Sequence, residues 1–196
     1  MRACRSFLVL LFVLLLQSCS QKEIEQEAGV LAPEEPLQVN IKKPEFIQRD
    51  EYKIWKKASY KGRFRILSRE DYSSDRESDL SPTDLALGWK RMSDSAVLDH
   101  FDISQRGRWF TWHSDRLPIP MDEAVLNAAN THIIPANDRV AELVDDLCKG
   151  QVIELSGFLV NVDSNDGWHW RSSMSRHDRG GGSCEIVFVE NLKVIQ

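Results

Sequence analysis

Residues 151–162 read QVIELSGFLVNV, and this stretch decides the fold. Its side chains alternate, with Ile153 and Leu155 on one face of an extended chain and Glu154 on the other. A period of two in apolar residues predicts a β-strand. Gly157 interrupts the alternation where a strongly bent strand needs a residue without a side chain. The sequence therefore predicts a long, bent strand near the end of the chain.

A second alternating stretch, residues 184–194, predicts the last strand. If the two strands pair directly and antiparallel, Val162 lies at the start of the last strand and Val152 at its end. Cys148 and Cys184 then lie at opposite ends of the pair, roughly 30 Å apart at about 3.3 Å per residue, beyond the reach of a disulfide. An oxidising compartment favours a bridge between two such cysteines. Antiparallel pairing predicts unbridged cysteines, whereas a parallel or crossed arrangement leaves the bridge open.

Shorter periodic segments complete the set of predicted elements. Alternation over residues 60–68 predicts a strand, and a glycine between two strand-forming runs in residues 103–112 predicts a hairpin. Capping residues and apolar spacing predict helices over residues 81–88, 120–130 and 138–148. This mixture of strands and short helices indicates an α+β protein.

The predicted hairpin carries much of the aromatic content. Trp109, Phe110 and Trp112 fall on both faces of its second strand. We expect one face to be buried and the other to be covered by a loop or a helix, because aromatic strands usually belong to a core. Stacking against a base or a sugar is the functional alternative.

The order of these elements resembles the later half of a small OB-like barrel: a helix, a bent strand with a central glycine, a loop and a closing strand. This resemblance implies an α+β fold with a small OB-like, partly closed antiparallel β-barrel and two to four short helices. Two motifs, DLSPTDLALGW at residues 79–89 and WHWRSSMSR at residues 168–176, also resemble a family of uncharacterised bacterial exported proteins. That likeness covers residues 60–189 and implies no particular activity.

The N-terminus has the layout of an export signal. Arg2 and Arg5 precede an apolar run that ends in LQSC at residues 16–19. The run is about half of the roughly 20 apolar residues that a membrane-spanning helix needs, so a cleaved secretory signal is favoured. LQSC resembles the lipobox of bacterial lipoproteins, in which the cysteine sulfur receives a diacylglycerol and becomes the new N-terminus after cleavage. The resemblance implies a signal peptide over residues 1–18 and lipidation of Cys19; the alternative is a plain cleaved signal.

Charge and composition describe the remainder of the chain. Of 196 residues, 42% are hydrophobic and 28% charged, which suits one domain of ordinary size and a tail. Loss of the signal leaves 23 basic and 30 acidic residues. An acidic protein is poorly suited to unspecific binding of nucleic acid or anionic lipid headgroups. Nucleic acid is therefore an unlikely partner.

Residues 19–51 have the composition of a spacer. Between residues 20 and 51 there are four basic and eight acidic residues, three prolines and few aromatic residues. Such a segment buries too little apolar surface to offset its ordering entropy. We predict a disordered acidic tether over residues 19–51 and a single α+β OB-like domain over residues 52–196. Ser20 replaces the aspartate that often retains lipoproteins at the inner membrane, which favours the periplasmic face of the outer membrane in a host with two membranes.

The longest stretch without predicted regular structure, residues 163–183, is the predicted functional loop. Its arginines could bind a phosphate or a carboxylate through paired donors, while its tryptophans stack nearby. The alternative is that the tryptophans cover the barrel as a lid. The candidate ligand-binding residues are Trp168, His169, Trp170, Arg171, Arg176, His177 and Arg179.

The same loop offers weak signals for other chemistry. His169, His177, Asp178 and Cys184 match no familiar ligand spacing, so no metal site and no cofactor is predicted. Cys184 with either of those histidines makes a poor nucleophile, because the cysteine begins an apolar strand. No catalytic residue is assigned on this basis.

These observations favour a lipid-anchored envelope protein that binds rather than catalyses. Its partners would be the membrane, through the N-terminal lipid, and either another envelope protein or a small anionic ligand. The alternative is a hydrolase that acts on phosphoesters or envelope polymers. A hydrolase should place His169 or His177 within hydrogen-bond reach of a carboxylate in a cleft, whereas a binding module should bring arginines and tryptophans together without such a pair.

Overall fold

A computed structural model of the chain describes residues 23–178, 180 and 183–196. The described residues form ten strands and three short helices. The strands are β1 (Leu37–Asn40), β2 (Phe46–Arg49), β3 (Tyr52–Asp71), β4 (Thr83–Gly88), β5 (Asp102–Arg106), β6 (Trp109–His113), β7 (Ala128–Pro135), β8 (Val152–Ser164), β9 (His169–Arg171) and β10 (Glu185–Val194). The helices are α1 (Ser95–Leu98), α2 (Met121–Leu126) and α3 (Asp138–Asp145), and single 3-10 turns span Arg76–Asp79 and Lys90–Ser93.

Five strands close into a ring. Hydrogen-bonded neighbours follow the order β3, β4, β7, β10 and β8, and β8 pairs again with β3. The β7 and β10 strands run parallel, and the other pairs of the ring run antiparallel. The expectation of an antiparallel barrel therefore needs one correction, at the β7–β10 pair. The fold is α+β, rich in strands, with a partly ring-closed sheet.

The ring encloses the main core. All five ring strands contribute to it, for example Phe64, Leu85, Ile133, Ile153 and Val187, and each of these side chains is at most 1% exposed. Because alternate residues of a strand face opposite sides, the neighbours of these residues face out of the ring. A second apolar cluster on that outer face is covered by β9 and the segment before it.

The two strands that the sequence predicted best have the expected arrangement. The β8 and β10 strands pair antiparallel, with Leu159 opposite Val187 and Ile153 opposite Val194. Cys148 and Cys184 are free, in agreement with that pairing. The helix predicted over residues 138–148 is present as α3.

Gly157 of β8 lies directly against the backbone of β10. A Cβ atom at this position would lie 1.9 Å from the carbonyl oxygen of Phe188. The pairing of β10 shifts register between Val189 and Asn191, next to this contact. The glycine is therefore required by the close approach of the neighbouring backbone at an irregularity in the ladder.

The prediction of a helix over residues 81–88 is wrong. This segment forms β4, and every residue of the strand is buried. Leu85 and Leu87 face the interior of the ring, while Ala86 belongs to a third cluster on the other side. A strand buried on both faces lacks the alternation of apolar and polar residues that identifies a strand in sequence. The helix predicted over residues 120–130 is likewise shorter, since α2 ends at Leu126 and β7 follows.

The prediction of a disordered tether over residues 19–51 needs correction for residues 23–51. Strands β1 and β2 pair with β3, and Ala32 is fully buried in the core. The Ile24 N–H donates to the carbonyl of Lys149 at 2.8 Å. Averaged composition conceals these strands, because each is four residues long and is stabilised by the long strand beside it. The rest of the predicted tether, with Cys19, lies outside the described residues.

Within the part of the chain that the structure describes, no helix is long and apolar enough to cross a membrane.

Candidate functional site

The predicted functional loop is partly regular in structure. Its residues His169–Arg171 form β9 and pair with Asn161, Val162 and Asp163 of β8. Trp168 and Trp170 pack against the apolar cluster on the outer face of the ring. Both tryptophans thus cover the barrel, which was the alternative to ligand binding for this loop.

Arg171 and Arg176, the arginines of the predicted site that the structure describes, lie beside different carboxylates. Arg171 donates to Asp163 at 2.5 Å and to the carbonyl of Val162 at 2.7 Å. Arg176 donates to Glu185 at 2.7 Å. The two guanidinium groups do not line the same cavity.

The remaining predicted residues fall in three places. His177 is exposed and lines neither cavity beside Cys184. His169 is exposed at the rim of one of them. Arg179 lies outside the described residues, as does Cys19.

The cavity at β9 has a volume of about 320 Å³. It lies between β9 and the β5–β6 hairpin, so two segments about 60 residues apart in sequence face each other across it. Three predicted site residues and Trp109 of the hairpin form its sides. The cavity is lined by Arg108, Trp109, His132, His169, Trp170, Arg171, Gly180 and Cys184.

The hairpin differs in part from expectation. Phe110 and Trp112 pack against the third apolar cluster, as expected for one buried face. Trp109, on the other face, is 50% exposed and is not covered. An exposed tryptophan at a cavity rim is available for contact with a ligand.

A buried histidine and a buried aspartate meet at the base of this cavity. Asp84 of β4 lies opposite His132 of β7 in the antiparallel ladder. The Nδ1 atom of His132 is 2.9 Å from Oδ1 of Asp84, and neither side chain is more than 4% exposed. Since Ile133 faces the interior of the ring, His132 and its partner face outward, toward the cavity.

Cys184 completes this cluster. It comes directly before β10, whose Glu185 pairs with Thr131 of β7, so the cysteine lies beside His132 and Asn130. Its sulfur lines the same cavity as the His132 ring. The Asn130 amide donates to Sγ at 3.7 Å, and Sγ donates to the carbonyl of Arg108 at 3.8 Å. The sulfur is half-buried and borders both this cavity and a smaller one of about 150 Å³.

Arg108 neutralises the buried carboxylate from the opposite side. Its Nη1 donates to Asp84 at 2.8 Å, and its Nε and Nη2 donate to Asp75 at 2.7 Å each. The guanidinium also stacks on Tyr72, with its central carbon 3.8 Å from the ring centroid. Asp84 therefore sits between two basic groups, Arg108 and His132, in a region without solvent.

The electrostatic surroundings of His132 favour its protonated form. Burial by itself lowers the pKa of the imidazole, but the Asp84 carboxylate and the Cys184 sulfur raise it, and the net effect is a pKa of about 9. A protonated His132 places a positive charge beside the cavity that Cys184 also lines.

Glu185, the residue after Cys184, faces the interior of the ring. Burial raises its pKa to about 7, although Arg176 nearby acts in the opposite direction. Arg176 also lies over the rings of Trp89 and Tyr60, with its central carbon 5.1 Å and 5.4 Å from their centroids. The Glu185–Arg176 pair is therefore a polar element of the core.

Sequence reasoning missed Asp84, His132, Asn130 and Arg108. The sequence pattern predicts a helix start at Asp84 and places Asn130 and His132 near the far end of another predicted helix. The available signal was the spacing of Asn130 and His132, which places both on one face if the segment is a strand. Their meeting with Asp84 depends on the register between β4 and β7, which no local pattern contains.

In the described part of the chain, no group of three or more His, Cys, Asp or Glu side chains has the arrangement of a metal site. Comparison with protein-family models, with curated proteins and with solved structures finds no match for this chain.

Proposed function

We propose that this chain is a lipid-anchored envelope protein whose OB-like barrel binds a small anionic ligand with an aromatic or other planar part. The ligand site is the 320 Å³ cavity between β9 and the hairpin. The observation that carries the proposal is the meeting of Trp109, Trp170 and Arg171 around that one cavity. Cavities of roughly 300 Å³ and above, with aromatic walls and few polar groups, are typical of small-molecule sites.

Strand connectivity supports the OB-like assignment. Five strands form the ring, one pair is parallel, and α3 lies between β7 and β8 in the chain. A five-stranded, partly open barrel is the architecture of the OB fold. OB folds bind their ligands at the face of the second and third barrel strands and at the loops beside it. The cavity includes His132 of β7, the third strand of the ring along the chain, and residues of β9 in the loop between β8 and β10.

The chemistry of Arg171 supports an anionic ligand. Its side chain is 47% exposed, and that of its partner Asp163 is 42% exposed. An exposed ion pair stabilises a protein by about 0–1 kcal/mol, so the guanidinium can turn to a carboxylate or phosphate on a ligand at little cost. The flanking tryptophans then provide flat apolar walls for the remainder of the ligand.

Benzoate is a suitable probe, because it combines an aromatic ring with one carboxylate. We expect benzoate to change the tryptophan fluorescence of the protein in a saturable way. Arg171→Gln should weaken binding about tenfold or more, since a hydrogen bond to a charged group contributes about 1.5–3 kcal/mol. Benzyl alcohol lacks the negative charge, so it should bind weakly, and with about equal affinity, to the unmodified protein and to Arg171→Gln.

Arg139→Gln is the matched control. Arg139 lines a larger cavity of about 600 Å³ that contains none of the predicted site residues. If benzoate binding falls with Arg139→Gln and not with Arg171→Gln, the ligand site is the larger cavity and the proposal is wrong.

The envelope location rests on the LQSC motif and has its own test. Intact mass and membrane fractionation of the natively expressed protein should show an acylated Cys19 as the N-terminus. The Cys19→Ala variant should lose both the acyl mass and the membrane association. A soluble, unmodified protein cut near residue 19 would contradict lipid anchoring.

A further inference from the structure

We infer that Cys184, His132 and Asp84 form a nucleophilic thiol site that transfers or hydrolyses the acyl group of a carboxylic ester or thioester. The inference rests on the proposed ligand cavity, because Cys184 and His132 line that same cavity. Of the substrates considered for a hydrolase, the inference selects carboxylic esters and thioesters.

Three neighbouring strands provide the three groups. Asp84 lies on β4, His132 on β7, and Cys184 at the start of β10, in that order across the sheet. Hydrogen bonding between strands fixes their relative positions more firmly than a loop would. Oδ1 of the carboxylate lies 2.9 Å from Nδ1 of the imidazole, and the sulfur lines the same cavity as the ring.

Each group has the surroundings that its role requires. Asp84 is fully buried, and its Oδ1 lies 2.9 Å from Nδ1, close enough for the carboxylate charge to stabilise the imidazolium. Cys184 is half-buried and reaches the cavity, so a substrate can approach its sulfur. The Asn130 amide, 3.7 Å from Sγ, donates to the sulfur and stabilises negative charge on it.

A purely structural role explains the cluster less well. Burial of a histidine next to an aspartate that already pairs with Arg108 places two cations on one buried carboxylate. Such an arrangement carries a desolvation cost that apolar side chains would avoid. It becomes useful when the imidazole must accept and return a proton beside a reactive thiol.

In the acylation step, the Cys184 sulfur bonds to the carbonyl carbon while His132 holds the thiol proton. The bond from that carbon to the leaving oxygen or sulfur breaks, and His132 gives its proton to the leaving atom. In the second step, His132 takes a proton from water as the water oxygen bonds to the carbonyl carbon. The carbon–sulfur bond breaks, the carboxylic acid leaves, and the thiol site is restored. Water is the co-reactant, and no electrons are transferred to or from another compound.

Phosphoryl chemistry fits the site less well. Transfer of a phosphoryl group needs several donors directed at its oxygens. Of the two arginines that line the cavity, Arg108 already donates from Nε, Nη1 and Nη2 to Asp75, Asp84 and the carbonyl of Ser81, which leaves Arg171 to contact phosphoryl oxygens. Attack of the Cys184 sulfur on a planar carbonyl group does not need several donors of this kind.

The test uses p-nitrophenyl acetate with the full chain, measuring p-nitrophenolate release and the position of the acetyl group by peptide mass. We expect a burst of p-nitrophenolate of about one equivalent and acetylation of Cys184. Cys184→Ala should abolish the burst. Cys148→Ala is the matched control, since Cys148 is also free and half-buried, and it should keep the burst.

His132→Gln should slow acetylation at pH 7 at least a hundredfold, and the remaining rate should rise steeply between pH 6 and 9, as it does for a thiol that loses its proton to water. If that variant does not fold, the pH profile of the unmodified protein and the Cys184→Ala result decide the question. Acetylation of Cys148 and Cys184 at equal rates, or no burst at all, would overturn the inference.

Failure of the ligand proposal is separately visible. If benzoate neither binds nor slows acetylation, while Cys184 still gives the burst, the thiol site stands and the anionic-ligand proposal fails. If benzoate binds but Cys184 is no more reactive than Cys148, the thiol site is refuted and the ligand proposal stands.

Discussion

Arg108→Ala should destabilise the protein far more than an equally close ion pair elsewhere. Arg108 donates to Asp84 at 2.8 Å and to Asp75 at 2.7 Å, and its side chain is 13% exposed. The Asp84 side chain is fully buried. Removal of the guanidinium leaves this buried carboxylate with His132 as its neighbouring basic group among the described residues.

The expected magnitude follows from burial. Removal of one partner from a buried ion pair costs about 3–5 kcal/mol. His132 compensates only part of the loss here, because the bonds of Arg108 to Asp75 and to the carbonyl of Ser81 are lost as well. Arg63→Ala is the matched control, since Arg63 lies 2.7 Å from Glu154 but the two side chains are 44% and 47% exposed. Loss of an exposed pair costs about 0–1 kcal/mol. The two variants should therefore differ by about 2–5 kcal/mol despite equal distances.

Urea unfolding followed by tryptophan fluorescence provides the measurement. With a slope of about 2 kcal/mol per molar urea, Arg108→Ala should lower the midpoint by about 2 M. Arg63→Ala should lower it by less than about 0.5 M. Equal losses in the two variants would refute the claim that burial of Asp84 makes Arg108 essential.

Three further changes test other parts of the structure. Gly157→Ala should lower the free energy of unfolding by about 1–3 kcal/mol or more. The new Cβ would lie 1.9 Å from the Phe188 carbonyl oxygen, so the strands would have to move apart. The urea midpoint measures this loss of stability. The pKa of His132 is raised from 6.5 to about 9 in the folded protein. Protonated His132 therefore stabilises the fold below pH 6.5, and this stabilisation is lost as the pH rises toward 9. His132→Gln should flatten the fall in urea midpoint over that range. The pKa of Glu185 is raised from 4.5 to about 7, so its ionisation destabilises the folded state as the pH rises from 4.5 to 7, and Glu185→Gln should remove that part of the pH dependence.

Local periodicity was sufficient for elements that keep polar residues on one face over at least part of their length. The β8 strand and α3 were predicted correctly because their apolar residues recur with the period of the structure. The β4 strand was not, because it is buried on both faces and begins with a Ser-Pro-Thr-Asp sequence typical of a helix start. The β1 and β2 strands were missed because four residues in an acidic segment carry too weak a pattern.

The site was less predictable than the fold. The site was predicted over residues 168–179 because tryptophans and arginines are concentrated there. Of these residues, His169, Trp170 and Arg171 do line a cavity. Cys184 was considered with the histidines nearest in sequence. Its partner in the structure, His132, is more than fifty residues away and reaches it through the parallel pairing of β7 and β10. Contacts of this kind depend on topology, which the period of a strand does not reveal.

The most direct test of the thiol site compares two cysteines within one molecule. Cys148 and Cys184 are both free and half-buried, so accessibility alone predicts similar alkylation rates. Limiting iodoacetamide at pH 7, followed by peptide mass analysis, gives the ratio of the two rates without any variant. The site described here predicts that Cys184, with His132 and Asp84 beside it, is alkylated at least ten times faster than Cys148. Equal rates, or faster alkylation of Cys148, would contradict the assignment of Cys184 as a nucleophile.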